Sequence, residues 1–336
     1  MCVINSGISA NPRLAIRHAF RPRSLRHRLL YVKFNAVIAF FFFLFGIVIG
    51  SFLNVCISRI PEGESVVSPS SRCPRCLAPI KPYDNVPILG WLWLRGKCRN
   101  CALPISPMYP IVEFLTGIFF LLTYLTFDVT LPTFKWLIFG CLLIILMVTD
   151  LRVRLLPDAV VWPGFGLGLA FATRIPPVDG TAMGLYIRAG FRHLPPYNGY
   201  LFGLLDALLG AALGSFLLWG AAAAYKIVRK RDGMGMGDVK MMAMVGAFLG
   251  VRGAFLTILL GTLMGSIIGV AFIVGLYAYG WKLDLARRAN RRGLGPINTL
   301  RWTIVSQYQI PLGTFLGFAA LLVVFTLPYI DSLLPR

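Results

Sequence analysis

Two aspartates and four cysteines are the residues of this 336-residue chain whose settings point to chemistry. Asp150 closes the apolar run CLLIILMVTD, and Asp238 ends the stretch Gly-Met-Gly-Met-Gly-Asp at 233–238, just ahead of a further apolar run. A carboxylate at membrane depth is costly, so an acid at the edge of a hydrophobic span is a functional candidate. Each acid alone also has an ordinary reading, because spans often end where water begins. Together they suit a pair in which one carboxyl keeps its proton while the other ionises. The ionised member would draw a proton from a water, and the protonated one would polarise a carbonyl group. Gly235 and Gly237 lack Cβ atoms, which lets backbone come close to Asp238.

The cysteines read as two knuckles, Cys73-x2-Cys76 and Cys98-x2-Cys101, separated by 21 residues. That spacing suits one tetrahedral ion, and four thiolates close its coordination sphere, so the expected role is a structural zinc site. Two disulfides or unliganded thiols are the alternatives. Pro74, Pro79, Pro82, Pro87 and Gly96 set rigid turns around the knuckles. A loop this small has no apolar core of its own, so metal binding would supply its folding energy.

The elements that must position these groups are membrane helices. The chain is 57% hydrophobic and 14% charged, with a mean hydropathy of +0.74, which excludes an ordinary soluble domain. Apolar runs at 34–57, 108–127, 132–149, 159–173, 200–225, 239–250, 254–280 and 310–330 predict an all-α polytopic membrane protein of about eight transmembrane helices. The run 239–250 is too short to span unaided and suits a tilted or re-entrant helix inside the bundle. A polar segment, 58–107, holds the knuckles, and 108–330 forms the remaining core. No internal repeat is evident.

Thirty-three Lys and Arg against 13 Asp and Glu give a net charge of +20. Alternating eight spans puts the basic loops 58–107, 226–238 and 281–309, with the segment 150–158, on one side. The positive-inside rule makes that side the cytoplasm. The basic segment 1–33 would then be exported, against the same rule; it reads as a disordered extension or a misplaced start. The basic residues are divided among short loops, so no nucleic-acid partner is expected.

At these residues the chain resembles the type IV prepilin peptidases, also called leader peptidase/N-methyltransferases. The stretches that carry the resemblance are FGIVIGSFLNVCISRIP (45–61), SRCPRC (71–76), NVPILGWLWLRGKCRNC (85–101), MYPIVEFLTG (108–117), TDLRVRLLPD (149–158), GMGMGDVKMMAMVGAFLG (233–250) and IPLGTFLG (310–317). The resemblance implies a Gly-x-Gly-Asp membrane aspartic peptidase of the bacterial cytoplasmic (inner) membrane. It would cut leaders from type IV prepilins and pseudopilins, with Asp150 and Asp238 catalytic. Cys73, Cys76, Cys98 and Cys101 match its zinc cysteines. It also implies methylation of the new N-terminus with S-adenosylmethionine, at a site the sequence does not reveal. Asp158 reads as a helix N-cap or structural acid, and Glu113 as a membrane-edge acid with at most a part in methyl transfer. Arg152 and Arg154, after the first aspartate, depart from the family pattern and suit side chains that snorkel to lipid headgroups.

Three other readings compete. A peptidase without methyltransferase activity keeps the same acids. An ion-coupled transporter would carry acids mid-span and related halves, whereas these acids sit at span ends. A membrane scaffold with a zinc loop would leave both aspartates incidental. Gly46-x3-Gly50 and Gly261-x3-Gly265 suit close helix contacts within the chain.

Overall fold

A computed structural model of the protein describes residues 25–175, 181, 199–230, 235–283 and 311–333. Within them the regular elements are helices: α1 (Leu25–Arg59), the short α2 (Leu89–Trp93), α3 (Met108–Phe127), α4 (Leu131–Val153), α5 (Asp158–Ala172), α6 (Gly199–Arg229), α7 (Met236–Leu283) and α8 (Leu312–Leu333). Five helices are long and apolar enough to cross a membrane, with Asp158–Ala172 and Leu312–Thr326 as shorter apolar ones. The protein is therefore a multi-pass, all-helical membrane protein. Helix α1 begins at Leu25, so nine residues of the expected extension continue it; residues 1–24 lie outside the described residues.

Helix α7 answers the question of the short apolar run. Gly250 breaks it with φ +76 and ψ −170, a backbone region open mainly to glycine. A Cβ on Gly214 of α6 would lie 3.0 Å from the Met242 carbonyl oxygen and 3.6 Å from Ala254 Cβ, so the chain turns back on itself there. The two arms match the separate runs 239–250 and 254–280, and, leaving out the short α2, eight helical runs result among the described residues. Met241, Met242, Met244, Val245, Ala247 and Phe248 of the first arm are fully buried. That arm is a re-entrant rod packed inside the bundle.

Glycines let the rods approach. Gly210 of α6 faces the α7 backbone, where a Cβ would stand 2.8 Å from Gly250 Cα. Gly46 and Gly50 of α1 abut α3 at Phe120 and Glu113, and Gly261 and Gly265 of α7 abut α8 at Leu316 and Phe315. Both Gly-x3-Gly pairs thus serve packing within the chain.

The loop 58–107 contains a short repeat that the sequence reading did not detect. RCPRCLAPI (72–80) and KCRNCALPI (97–105) form equivalent knuckles. In each, the first cysteine N–H donates 2.9 Å to a carbonyl five residues on, Ala78 or Leu103. The residue after the second cysteine, Leu77 or Ala102, takes a left-handed φ of +58 or +56. Both knuckles close with an isolated bridge, Arg72 to Pro79 and Lys97 to Pro104.

Candidate active site

Four helix ends meet around the two aspartates. Helix α4 stops because Arg154 takes a left-handed φ of +55 and its N–H donates to the Asp150 carbonyl at 3.0 Å, a usual helix ending. Asp150 occupies that last turn, with 7% of its surface exposed. Asp238 is the third residue of α7, 9% exposed. Its N–H donates to the Gly235 carbonyl at 3.2 Å, which fixes the approach of the chain. The start of α5 and the start of α8 complete the ring.

The first turn of α8 brings the acids together. The Thr314 N–H donates to Asp150 Oδ2 at 2.8 Å. The Thr314 hydroxyl lies 3.0 Å from the same oxygen and 3.2 Å from the Met147 carbonyl, so its single proton serves one of them at a time. Beside it, a Cβ on Gly313 would stand 3.0 Å from Asp150 Oδ2 and 3.0 Å from Asp238 Oδ1. The two carboxylate oxygens therefore lie within 6.0 Å of each other, the sum of those two reaches. Asp238 and Thr314 each sit in the first turn of a helix, where unpaired N–H groups make the local potential positive. That potential favours negative charge developing between the acids.

Leu156 wedges this end of the bundle. Its side chain lies 3.1 Å from where a Cβ would be on Gly237 and 3.1 Å from the same point on Gly313. Gly237 is thus glycine for packing against Leu156. Asp158 is the first residue of α5, after Pro157 at the cap position, and its side chain makes no capping hydrogen bond. The N-cap reading is corrected: the carboxylate pairs with Lys240 Nζ at 2.7 and 2.9 Å and ties α5 to α7 two residues past Asp238. Arg152 and Arg154 are exposed.

The knuckles converge on a separate centre. The four sulfurs of Cys73, Cys76, Cys98 and Cys101 lie within 4.8 Å of one another, with Sγ–Sγ distances of 4.0 Å for Cys73–Cys101 and 3.9 Å for Cys76–Cys98. Thiolates at about 2.3 Å from a tetrahedral ion stand at such separations, so the donor set fits a metal ion. All four are free cysteines rather than disulfides. The Ala78 backbone N–H, and after it the Asn100 side chain, draw the Cys76 thiol down to about 6. Arg99 grips Asp84 through two hydrogen bonds of 2.6 and 2.7 Å, which holds that carboxyl below its ordinary range.

Glu113 joins the loop to the membrane helices. Its Oε2 accepts the Ile88 N–H at 2.7 Å, while the neighbouring Asn54 side chain donates to the Tyr109 carbonyl at 3.0 Å. The structure thus gives this acid an architectural task. Gly313 and Thr314 are the site residues that received no role from sequence. Their signal was a Gly-Thr pair opening an apolar run within IPLGTFLG, one of the stretches that carried the resemblance.

Comparison with known proteins places the chain among relatives. Residues 44–127 match the Bacterial Peptidase A24 N-terminal domain, and residues 137–270 match the Type IV leader peptidase family. The prepilin leader peptidase/N-methyltransferase of Aeromonas salmonicida is 33% identical over 275 residues, covering 74% of this chain and 84% of the relative. The protein of the same name from Myxococcus xanthus is 36% identical over 290 residues, covering 86% and 78%. The one from Pseudomonas aeruginosa is 32% identical over 253 residues, covering 68% and 79%. No solved structure matches the chain at a significant level. By two adjoining domain matches and relatives spanning most of its length, this chain belongs to the type IV leader peptidase family.

Proposed function

We propose that the protein removes the leader peptides of type IV prepilins and pseudopilins at the cytoplasmic face of the bacterial inner membrane, with Asp150 and Asp238 as its catalytic pair. The observation that carries this reading is the convergence of both carboxylates on the missing Cβ of Gly313, within 6.0 Å of each other. Buried like charges that close favour one shared proton.

The ionised acid takes a proton from a water as its oxygen attacks the scissile carbonyl. The protonated acid donates to the carbonyl oxygen, giving a neutral gem-diol. The acid that now holds the proton passes it to the leaving nitrogen while the ionised one takes a proton from a gem-diol hydroxyl, so the C–N bond breaks to a carboxyl and an amine and the pair again shares one proton. Asp150 suits the base: Thr314 offers its backbone N–H and hydroxyl to one oxygen, which orients the carboxylate and leaves the other oxygen for water. Membrane-facing helices beside the site would receive the apolar helix that follows the leader.

N-methylation of the new terminus is the second proposed activity, supported by the names of the relatives, with S-adenosylmethionine as the donor. Cys73, Cys76, Cys98 and Cys101 would hold a structural zinc ion that fixes the loop 58–107. The bound zinc would supply cross-linking of the two knuckles and no reaction step. The knuckle geometry supports this, since it brings all four sulfurs within 4.8 Å of one another.

The test is reconstitution of the purified protein with a prepilin in vesicles, followed by mass spectrometry of the mature N-terminus. Cleavage by the unaltered chain and none by Asp150→Asn or Asp238→Asn is the expected result. Full processing by both variants would overturn the reading.

A further inference from the structure

We infer that α2 is a membrane-seated element: Leu89, Leu92 and Trp93 enter the boundary between headgroups and acyl chains, and pin the cysteine loop to the bilayer. The Ile88 N–H, one residue before α2, bonds Glu113, which lies five residues into α3, about 7.5 Å along its axis at ~1.5 Å per residue. Glu113 in turn abuts Gly50 of α1, nine residues before that helix ends at Arg59. The loop therefore dips below the ends of both apolar helices before α2 begins.

It enters from the lipid side. Ser51 and Glu113 line this contact, and the residues that follow them, Phe52 and Phe114, are exposed. Val112 and Leu53, by contrast, belong to the core shared with α4. At that level α2 is two-faced. Trp91 turns inward, donating its indole N–H to the Ile105 carbonyl at 3.2 Å and covering Gly96. Leu89, Leu92 and Trp93 point out with 64%, 56% and 82% exposure. Exposed Arg95 and Lys97 follow. A tryptophan with aliphatic neighbours beside basic residues is the composition that sits in an anionic interface. The occupant is lipid because Phe52 of α1 and Phe114 of α3, exposed beside the Glu113 contact, belong to helices long and apolar enough to cross the membrane.

The experiment uses the full-length protein in vesicles of phosphatidylethanolamine and phosphatidylglycerol, with plain or acyl-brominated chains. Subtracting the emission of Trp93→Phe isolates the Trp93 signal, and equal zinc content of the two proteins verifies that the loop is folded. The expected result is a Trp93 signal largely lost with brominated lipid and shielded from aqueous iodide. Quenching by iodide but not bromine would place Trp93 in water. Indifference to both would mean that protein covers it. Either outcome overturns the inference.

Discussion

Gly313→Ala would put a methyl carbon 3.0 Å from an oxygen of each aspartate, tighter than most packed atoms stand, so the carboxyl groups must give by a few tenths of an ångström. Misplacement of reacting groups by about 1 Å costs on the order of 10²-fold in rate. A measurable but smaller loss in prepilin cleavage is expected, with unchanged expression and zinc content as controls. Asp150→Asn and Asp238→Asn should each cost about 10²–10⁴-fold or more, the usual range for a lost proton-transfer group. Thr314→Val keeps the backbone donor and removes only the hydroxyl. A hydrogen bond to a charged group is worth roughly 1.5–3 kcal/mol, so its kcat should fall by about one to two powers of ten. The aspartates were legible in sequence because acids beside apolar runs stand out against their surroundings. Gly313 and Thr314 were not, because their role depends on α8 docking 164 residues away from Asp150. Neither residue type announces such a contact.

Between helices, the glycines carry the architecture. A Cβ at residue 210 would lie 2.8 Å from Gly250 Cα, a collision with backbone that no rotamer relieves. Gly210→Ala should therefore destabilise the protein by about 1–3 kcal/mol or more, seen as a lower midpoint of thermal unfolding in detergent. Lys240→Met should matter far less. Its pairing with the half-exposed Asp158 is a surface ion pair, and such pairs contribute about 0–1 kcal/mol. The apolar runs and their order were readable because membrane helices need long uninterrupted hydrophobic stretches. The reversal at Gly250 was visible only as a run too short to cross. The repeated knuckle escaped notice because it preserves two cysteines, a proline and an isoleucine among nine positions. What it repeats is a backbone path.

At the scale of the molecule, the metal loop and the helical core are held by different forces. Chelation should release one zinc ion per chain and expose the 58–107 segment to protease while the membrane helices stay intact. Protons should compete for the same thiolates. The hydrogen bonds that draw Cys76 down to about 6 favour its thiolate at neutral pH. Acidification through and below that range reprotonates it, so zinc should be retained at neutral pH and lost in acid, as a metal-sensitive dye would report. The basic loops alone set the expected orientation, and the meeting of the α4, α5, α7 and α8 ends puts these four at one end of the bundle.

The re-entrant rod that carries Asp238 has a bearing on biogenesis. Residues 236–249 extend only about 21 Å, short of the roughly 30 Å hydrocarbon layer, and beyond the exposed Met236 most of their side chains are buried among neighbours. Such a segment has little means of entering a bilayer alone, so it must arrive as a hairpin with the arm beyond Gly250. Its acid then waits for the last helix to be synthesised, because Gly313 and Thr314 close the ring. A nascent chain would thereby be kept from cutting peptide bonds until α8 has been made. A version ending before residue 310 should insert and bind zinc, yet leave prepilin uncut in the same membranes.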